Sequence, residues 1–432
     1  MRRATLTVLV LLASSTPPLR AEPPGPGAVL DASTAAAAAD LLPPEVIARY
    51  QAGEYRNTVA AWSSAPPFAP SFVEATARNQ AKLVVNDRGT ILDGPGGAPA
   101  KGIYGLPFKI EASDAQAGVK AIWNAYYSLW RIASTEDLLA LDWVARTGLE
   151  RQAVLESHTL YYEGVPSAYA PAANPLDLAA QQHALVTTPA DLNGTASLVW
   201  RFRDPDKEDE AWTYVPALRR VRKISPTNRS DGFLGSDLSQ DDGAFFDGKP
   251  EAFEWKLVGE REGYVLADPA SLAGRVVRTA LPKGGYHEEW PAAQQVVGYQ
   301  DKSWTGVAWA PVAPVLVRRK LWVVEARSRD PYYLFHRIEL ALDQETFQGV
   351  WSRKFDGQGG LLRSLQFLVY ATQPTPDGEP MPASSMGYIG AVNVKNNRAT
   401  ITGTSPPGAS RHLRRVPLEP NLFALDRLGA GK

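Results

Sequence analysis

The sequence contains no cysteine. Disulfides, thiolate metal sites and cysteine nucleophiles are excluded at once. That absence does not fix the compartment, because a disulfide-free chain suits a bacterial periplasm as well as a cytosol. At 432 residues a hydrophobic core can hold the fold without covalent staples. A charge excess is missing too: 45 basic and 46 acidic residues leave a formal −1. Dedicated nucleic-acid binders draw affinity from counterion release by a basic surface, so no nucleic-acid partner is expected. Histidine is scarce, with His158, His183, His287, His336 and His412 far apart in sequence. The segment "HEEW" (287–290) lacks the second histidine that would face a metal one helical turn away. No metal and no cofactor are expected. Beyond the first residues no apolar run reaches the length that spans a bilayer, so no transmembrane segment is expected in the mature chain.

What is present begins with "MRRATLTVLVLLASSTPPLRAEPPGPG". Arg2 and Arg3 precede an apolar run from Leu6 to Ala13, then small and turn residues. That order predicts a signal peptide over residues 1–21, cleaved after Ala21, and hence a periplasmic protein. Residues 22–104 are rich in proline and glycine and read as an irregular N-terminal arm lying over the main body. Within it, "DLLPPEVIARYQAGEY" predicts a short helix from Pro44. The loop "DGPGGAPAKG" (93–102) is not a phosphate loop, since no Gly-Lys-Ser/Thr follows.

A helix is predicted in "SDAQAGVKAIWNAYYSLWRIAS", where Ser113 and Asp114 offer caps. Val119, Ile122, Trp123, Tyr126 and Trp130 fall at helical spacing and make one aromatic face. From about residue 195 the pattern is β. Leu198–Arg203 and Ala211–Val215 read as a hairpin around a polar turn, and Arg220–Ile224 as a short strand. Further strands are predicted at Phe253–Val258, Glu262–Leu266, Val315–Arg327, Tyr333–Leu342, Phe347–Phe355, Leu361–Tyr370, Ser385–Val394 and Ala399–Thr404. Short turns between successive strands imply an antiparallel meander. The expected fold is α+β: one large, curved antiparallel sheet with helices on its concave face. The tail, 406–432, reads as loop.

Catalytic patterns are weak. Asp241–Asp242 and Glu288–Glu289 are neighbours, and strand neighbours point apart, whereas a glycosidase holds two carboxylates across a cleft. A Gly-x-Ser-x-Gly nucleophile context is absent. No catalytic residue is assigned, and the chain is not expected to be an enzyme. Aromatic supply is the stronger signal, with twelve tryptophans. Their bland role is core filling. Their sharper role is lining an apolar ligand cavity, for which the candidates are Trp123, Tyr126, Trp200, Phe202, Trp212, Tyr214, Trp255, Trp322, Val324, Phe335 and Trp351.

One stretch, "WTYVPALRRVRKISPTNRSDGFLGSDLSQDDG" (212–243), is basic first and acidic later. Arg219, Arg220 and Arg222 are expected to pair with some of Asp231, Asp237, Asp241 and Asp242, because a guanidinium can hold a carboxylate through two bonds. Such pairs would pin the acidic loop over the sheet rim as a lid or docking surface, with Phe233 and Leu234 beneath.

That stretch resembles the Trp-x-Tyr-x-Pro…Arg-x-Val-Arg pattern of LolA-like outer-membrane lipoprotein-sorting proteins. A closer resemblance is to the secreted bacterial domain of unknown function family 1329. It is carried by "GLPFKI…AIWN" (105–124), "DGKPEAFEWKLVGEREGYV" (247–265), "RRKLWVVEA" (318–326) and "FDGQGGLLR" (355–363), in order across about 260 residues. The resemblance implies a LolA/LolB-like half-barrel with an apolar cavity over residues 105–405, and residence in the periplasm. It also implies traffic of a lipid or other hydrophobic ligand, with an RND-type (MMPL) transporter and an outer-membrane protein as partners. A carrier, a transporter adaptor without ligand, and a cell-envelope hydrolase stay open as readings, in that order.

Overall fold

A computed structural model describes residues 21–291, 297–383, 388–403 and 411–429. The expected signal peptide, apart from its last residue, lies outside the described residues. Among the described residues sixteen strands form one sheet in which every paired neighbour is antiparallel. A first meander comprises β1 (Ser134–Ala145), β2 (Gly148–Tyr161), β3 (Leu178–Thr188), β4 (Ala196–Phe202), β5 (Glu210–Val215) and β6 (Arg220–Ile224). Then come β7 (Phe253–Ala267) and the short β8 (Val277–Ala280) and β9 (Tyr286–Glu289). A second meander comprises β10 (Val315–Ser328), β11 (Arg337–Asp343), β12 (Gly349–Phe355), β13 (Leu361–Phe367), β14 (Ile389–Asn393) and β15 (Arg398–Thr402), followed by β16 (His412–Arg414).

The spatial order is β6-β5-β4-β3-β2-β1-β15-β14-β13-β12-β11-β10-β7. The path does not close, and β6 and β7 stand at its ends. Its two meanders are joined where β15 pairs with β1. Strand β1 is long enough, at roughly 3.4 Å per residue, to serve two partners along one edge. Leu141–Val144 pair with β15, and Thr135–Asp137 pair with β16, which leads on to β9 and β8. Register slips in six pairings, at Trp143/Val144, Val154/Leu155, Leu178/Ala180, Leu257/Gly259, Ala341/Leu342 and Lys354/Phe355. Each such slip adds bend and twist, so the sheet curls. The slip at Leu257/Gly259 also merges two predicted strands into the single β7.

Strands β1 to β3 were not anticipated before residue 195. The reason lies in β1, "STEDLLALDWVA", which is buried on both faces and so lacks the alternation that marks a half-exposed strand. Three helices of two turns or more occur among the described residues: α1 (Pro44–Gln51), α2 (Pro70–Lys82) and α3 (Ala117–Trp130). Residues 22–104, read as an irregular arm with one short helix from Pro44, carry that helix as α1 and a second, α2, that was not expected. Both start at a proline, where the missing N–H costs no hydrogen bond. Helix α1 packs on the outer face of the sheet, where Glu45 accepts from Arg353 at 3.1 Å and from Ser364 at 2.9 Å. Its Val46, Ile47 and Tyr50 join a core with Leu316, Ala399 and Ile401. Also on the outer face, Val369 bonds Leu266 and Asp268 just past β13, around a separate core of Val317, Val323, Ala341 and Trp351.

Helix α3 occupies the inner, concave face as expected. Gly118 lets it approach β7 closely: a Cβ there would sit 2.7 Å from the Lys256 carbonyl carbon. Val119, Ile122, Trp123, Tyr126 and Trp130 are all buried, and Trp130 stacks on Tyr161 of β2 at 6.1 Å. In the described part of the tail, 411–429, Leu418, Leu422, Phe423 and Leu428 pack on the outer face of β4 and β5.

Candidate functional site: a cavity beneath a strapped loop

A cavity of about 240 Å³ lies between α3 and the inner face of the sheet. Helix α3 contributes Ile122, Ala125, Tyr126 and Leu129, and Arg131 follows at the helix end. Strands β1 to β3 form a polar floor of Thr135, Asp137, Ser157, Thr159 and Gln182. Register explains the grouping: Thr135 faces Thr159, Thr159 faces Gln182, and Asp137 faces Ser157. Residues two apart on a strand share a face. The remaining wall is mostly apolar, with Phe245, Phe246, Phe347, Phe367, Leu368 and Ile389, and is interrupted by Asp247, Gln348 and Arg414. Phe245 meets Phe367 edge-on at 5.2 Å. It also lies on Gly349, where a Cβ would come within 2.0 Å of the ring, so only glycine leaves room there.

Phe245 and Phe246 belong to the long loop 225–252, which crosses the inner face as a strap. Its Asp241, Asp242 and Asp247 are buried and paired with cations from the loop's own Arg229 and from distant strands. Arg201 of β4 holds Asp209 at 2.9 Å and Asp247 at 2.8 Å. Arg229 holds Asp241 at 2.7 Å and Asp209 at 3.2 Å, and donates to the Asp247 carbonyl at 2.6 Å. The Tyr333 hydroxyl donates to Asp241 at 2.9 Å. Lys354 of β12, 2% exposed, holds Asp242 at 2.5 Å. Asp237 meets Arg363 of β13 at 3.1 Å and Asn393 of β14 at 2.8 Å. Gln182 donates to Asp247 at 2.9 Å, and the Tyr126 hydroxyl donates to the Gly248 carbonyl at 2.6 Å. One loop therefore touches β3 and β4 on one side and β12 to β14 on the other, which requires the sheet to curl around it.

Burial disfavours the charged form of Asp209, but Arg201 and Arg229 outweigh it and hold the carboxyl below its ordinary range. Burial also opposes charge on Arg201, and Asp209 and Asp247 carry its proton affinity well above normal. At Asp241 burial wins: its carboxyl is raised despite Arg229 and Tyr333. These are the shifts of a structural lock, with each charge facing its opposite. Among the described residues no group of three or more His, Asp or Glu side chains is placed to hold a metal ion.

A family description reading "Protein of unknown function (DUF1329)" matches residues 29–420. The chain belongs to the DUF1329 family. An uncharacterised protein of Pseudomonas aeruginosa is 24% identical over 186 residues, 41% of this chain and 35% of that protein. The similarity thus spans about a third of that relative's length. Among solved structures, a putative outer membrane lipoprotein-sorting protein domain from Vibrio parahaemolyticus is 15% identical. It covers 73% of this chain and 100% of its own, with a TM-score of 0.48. A DUF1329 family protein from Desulfovibrio piger is 14% identical, covering 73% and 98%, with a TM-score of 0.47.

In this DUF1329 chain the aromatic candidates scatter. Tyr126 lines the cavity. Trp123 and Phe202 line a smaller pocket of about 50 Å³ beside Trp130, Arg201 and Glu251. There burial lifts the Glu251 carboxyl to about 7, with Lys249 opposing. Trp255, Trp322, Val324 and Phe335 pack in the core around α3 without lining the cavity. Trp200, Trp212 and Tyr214 face outward beneath the tail, where the Trp200 indole N–H donates to the Phe423 carbonyl at 3.0 Å. Alternation and register place them there: Trp200 shares a face of β4 with Leu198 and Ala196, which stand opposite Trp212 and Tyr214 of β5. Trp351 sits in the outer-face core with Val323 and Ala341.

The expected loop pairing needs correction. Arg219, Arg220 and Arg222 are exposed and make no ion pair with Asp231, Asp237, Asp241 or Asp242 among the described residues. Strand β6 is an edge with both faces toward solvent, and the loop turns away from it. Asp231 is exposed as well, while Arg229, Lys354 and Arg363 supply the cations. Phe233 and Leu234 do pack against the main core. Sequence reasoning missed Arg131, Asp137, Arg201, Phe245, Phe246 and Arg414. The available signals were an arginine alternating with aromatics in "VWRFR" and a Phe pair inside the polar "DDGAFFDG".

Proposed function

We propose that the protein is a periplasmic carrier that holds a lipid or other hydrophobic small molecule in this cavity and performs no chemistry on it. One observation carries the reading: a mainly apolar chamber of about 240 Å³, with a polar floor, beneath a strapped loop. An engineered apolar cavity of roughly 150 Å³ stays dry and binds benzene, so a larger one admits a bigger apolar group. Burying an acyl chain contributes about 0.8 kcal/mol per methylene. Phe245 and Phe246 of the strap form part of the cavity wall, so release of the strap would open a route for entry. We place the protein beside an RND-type transporter and an outer-membrane protein on the strength of the sequence resemblance. An environment-sensitive fluorescent fatty probe tests the carrier reading: it should bind one-to-one and be displaced by unlabelled amphiphile. Absence of saturable binding would contradict it.

A second reading, a docking adaptor, is favoured by β6. Arg220, Val221, Arg222 and Lys223 are all exposed on this edge strand, and an unpaired edge is a ready template for another chain. Crosslinking from position 222 to an envelope partner would support it.

A further inference from the structure

We propose that the cavity takes a single-chain amphiphile with an anionic head, a carboxylate or phosphate, seated against Arg131 and the hydroxyl floor. This rests on the carrier reading and deepens it. Four buried arginines gather at this end of the molecule. Arg414 reaches Asp137 at 2.8 Å and Glu288 at 3.5 Å. Arg278 reaches Glu288 at 2.8 Å. Arg415 holds Glu379 and, at 3.0 Å, Asp377. Among the described residues Arg131, 1% exposed, has Glu379 at 4.0 Å as its one acidic partner, and Arg415 already grips that carboxylate.

The other contacts of Arg131 are neutral. Its guanidinium donates to the carbonyls of Ser128 at 3.0 Å and Pro380 at 3.1 Å, which caps the end of α3. Its flat face lies over Phe68 at 4.8 Å and Phe72 at 5.3 Å. Carbonyls and rings position a cation but do not neutralise it. Burial accordingly draws the Arg131 proton affinity down to about 10, against Glu379, whereas Arg414 and Arg415 are raised. A buried charge without a close counter-ion is costly, and an incoming anion would supply one.

The floor points the same way. Thr135, Ser157 and Thr159 line the cavity, and their hydroxyls make no hydrogen bond within the described residues. The cavity's own carboxylates are already engaged: Asp137 accepts from His412 and Arg414 at 2.8 Å, and Asp247 from Arg201 and Gln182. Phe245, Phe367 and Ile389 remain for the chain. Guanidinium bonds to carboxylate or phosphate are charge-assisted and about twice as strong as neutral ones.

The test titrates dodecanoate, dodecyl phosphate and dodecanol, which share one chain, into the purified full-length mature protein and into Arg131→Gln and Thr159→Val variants. The wild type should bind at least one of the two anions about tenfold more tightly than the alcohol, and which anion binds better identifies the head. Arg131→Gln should abolish that preference, so that the anions bind no more tightly than dodecanol. Thr159→Val, which keeps the side-chain shape, should reduce the preference by about threefold. Equal wild-type affinity for alcohol and both anions, or a preference that survives Arg131→Gln, would overturn the proposal while leaving the carrier reading intact. No binding of any probe would overturn both.

Discussion

Arg229→Met offers the sharpest test of the strap. In the native protein Arg229 is buried, holding Asp241 and Asp209 and donating to the Asp247 carbonyl. Met fills similar volume but leaves Asp241 with the Tyr333 hydroxyl, and Asp209 with Arg201. Removing one partner of a buried pair costs about 3–5 kcal/mol, because the other charge stays buried. Asp241→Asn alone should cost less, since the amide keeps its shape and the Asp241 carboxyl is already pushed toward its neutral form by burial. Combining the two should recover about 1–3 kcal/mol of coupling. Urea unfolding gives the energies, and amide exchange across 232–248 shows whether the loop is released. Arg222→Ala, on the exposed edge strand, should stay within about 0.5 kcal/mol. A coupling below about 0.5 kcal/mol, or loop exchange unchanged in Arg229→Met, would refute the lock.

Gly349→Ala should destabilise by about 1–3 kcal/mol through overpacking, since its Cβ would meet the Phe245 ring. Adding Phe245→Leu should restore part of the loss in the same urea assay. Trp212→Ala should cost about 3–5 kcal/mol by opening a cavity under the tail, yet leave ligand retention unchanged. Phe245→Ala should do the reverse, lowering retention of the fluorescent probe with a smaller stability loss. His158 and His183 face each other at 5.8 Å, and burial lowers both, His183 to about 4. Glu136, Glu156 and Arg411 flank this pair. A depressed histidine binds fewer protons folded than unfolded, so its contribution is complete above about pH 6.5 and is lost as pH falls through about 4. His183→Gln should flatten the urea midpoint between those values, and an unchanged slope would contradict the assignment.

Much of the architecture was legible because local patterns agreed with tertiary demands. The aromatic positions of α3 recur at helical spacing because one face packs on the sheet. The second meander announced itself through turns such as "DQET" and "DGQGG" between alternating strands. Strand β1 did not, because cover on both faces erases the alternation. The cavity was harder still. A tryptophan in a strand reads the same whether it faces α3, as Trp255 does, or the tail, as Trp212 does. Only partner register and the covering segments decide between them. The cations that hold the strap come from residues about 10 to 130 positions away from the acids they bind, as with Arg229 and Asp241 or Arg363 and Asp237. The basic run drew attention to Arg219, Arg220 and Arg222 and away from Arg229, which is nearer to the acids in sequence, while the curled sheet brought in Lys354 and Arg363 from far along the chain.

Native mass spectrometry of the gently purified mature protein tests the central claim most directly. The carrier account predicts a species heavier than the polypeptide by the mass of one amphiphile, lost on mild activation and reduced in Phe245→Ala. A protein that is empty as isolated, and that stays empty after incubation with dodecanoate, dodecyl phosphate and dodecanol, would contradict it.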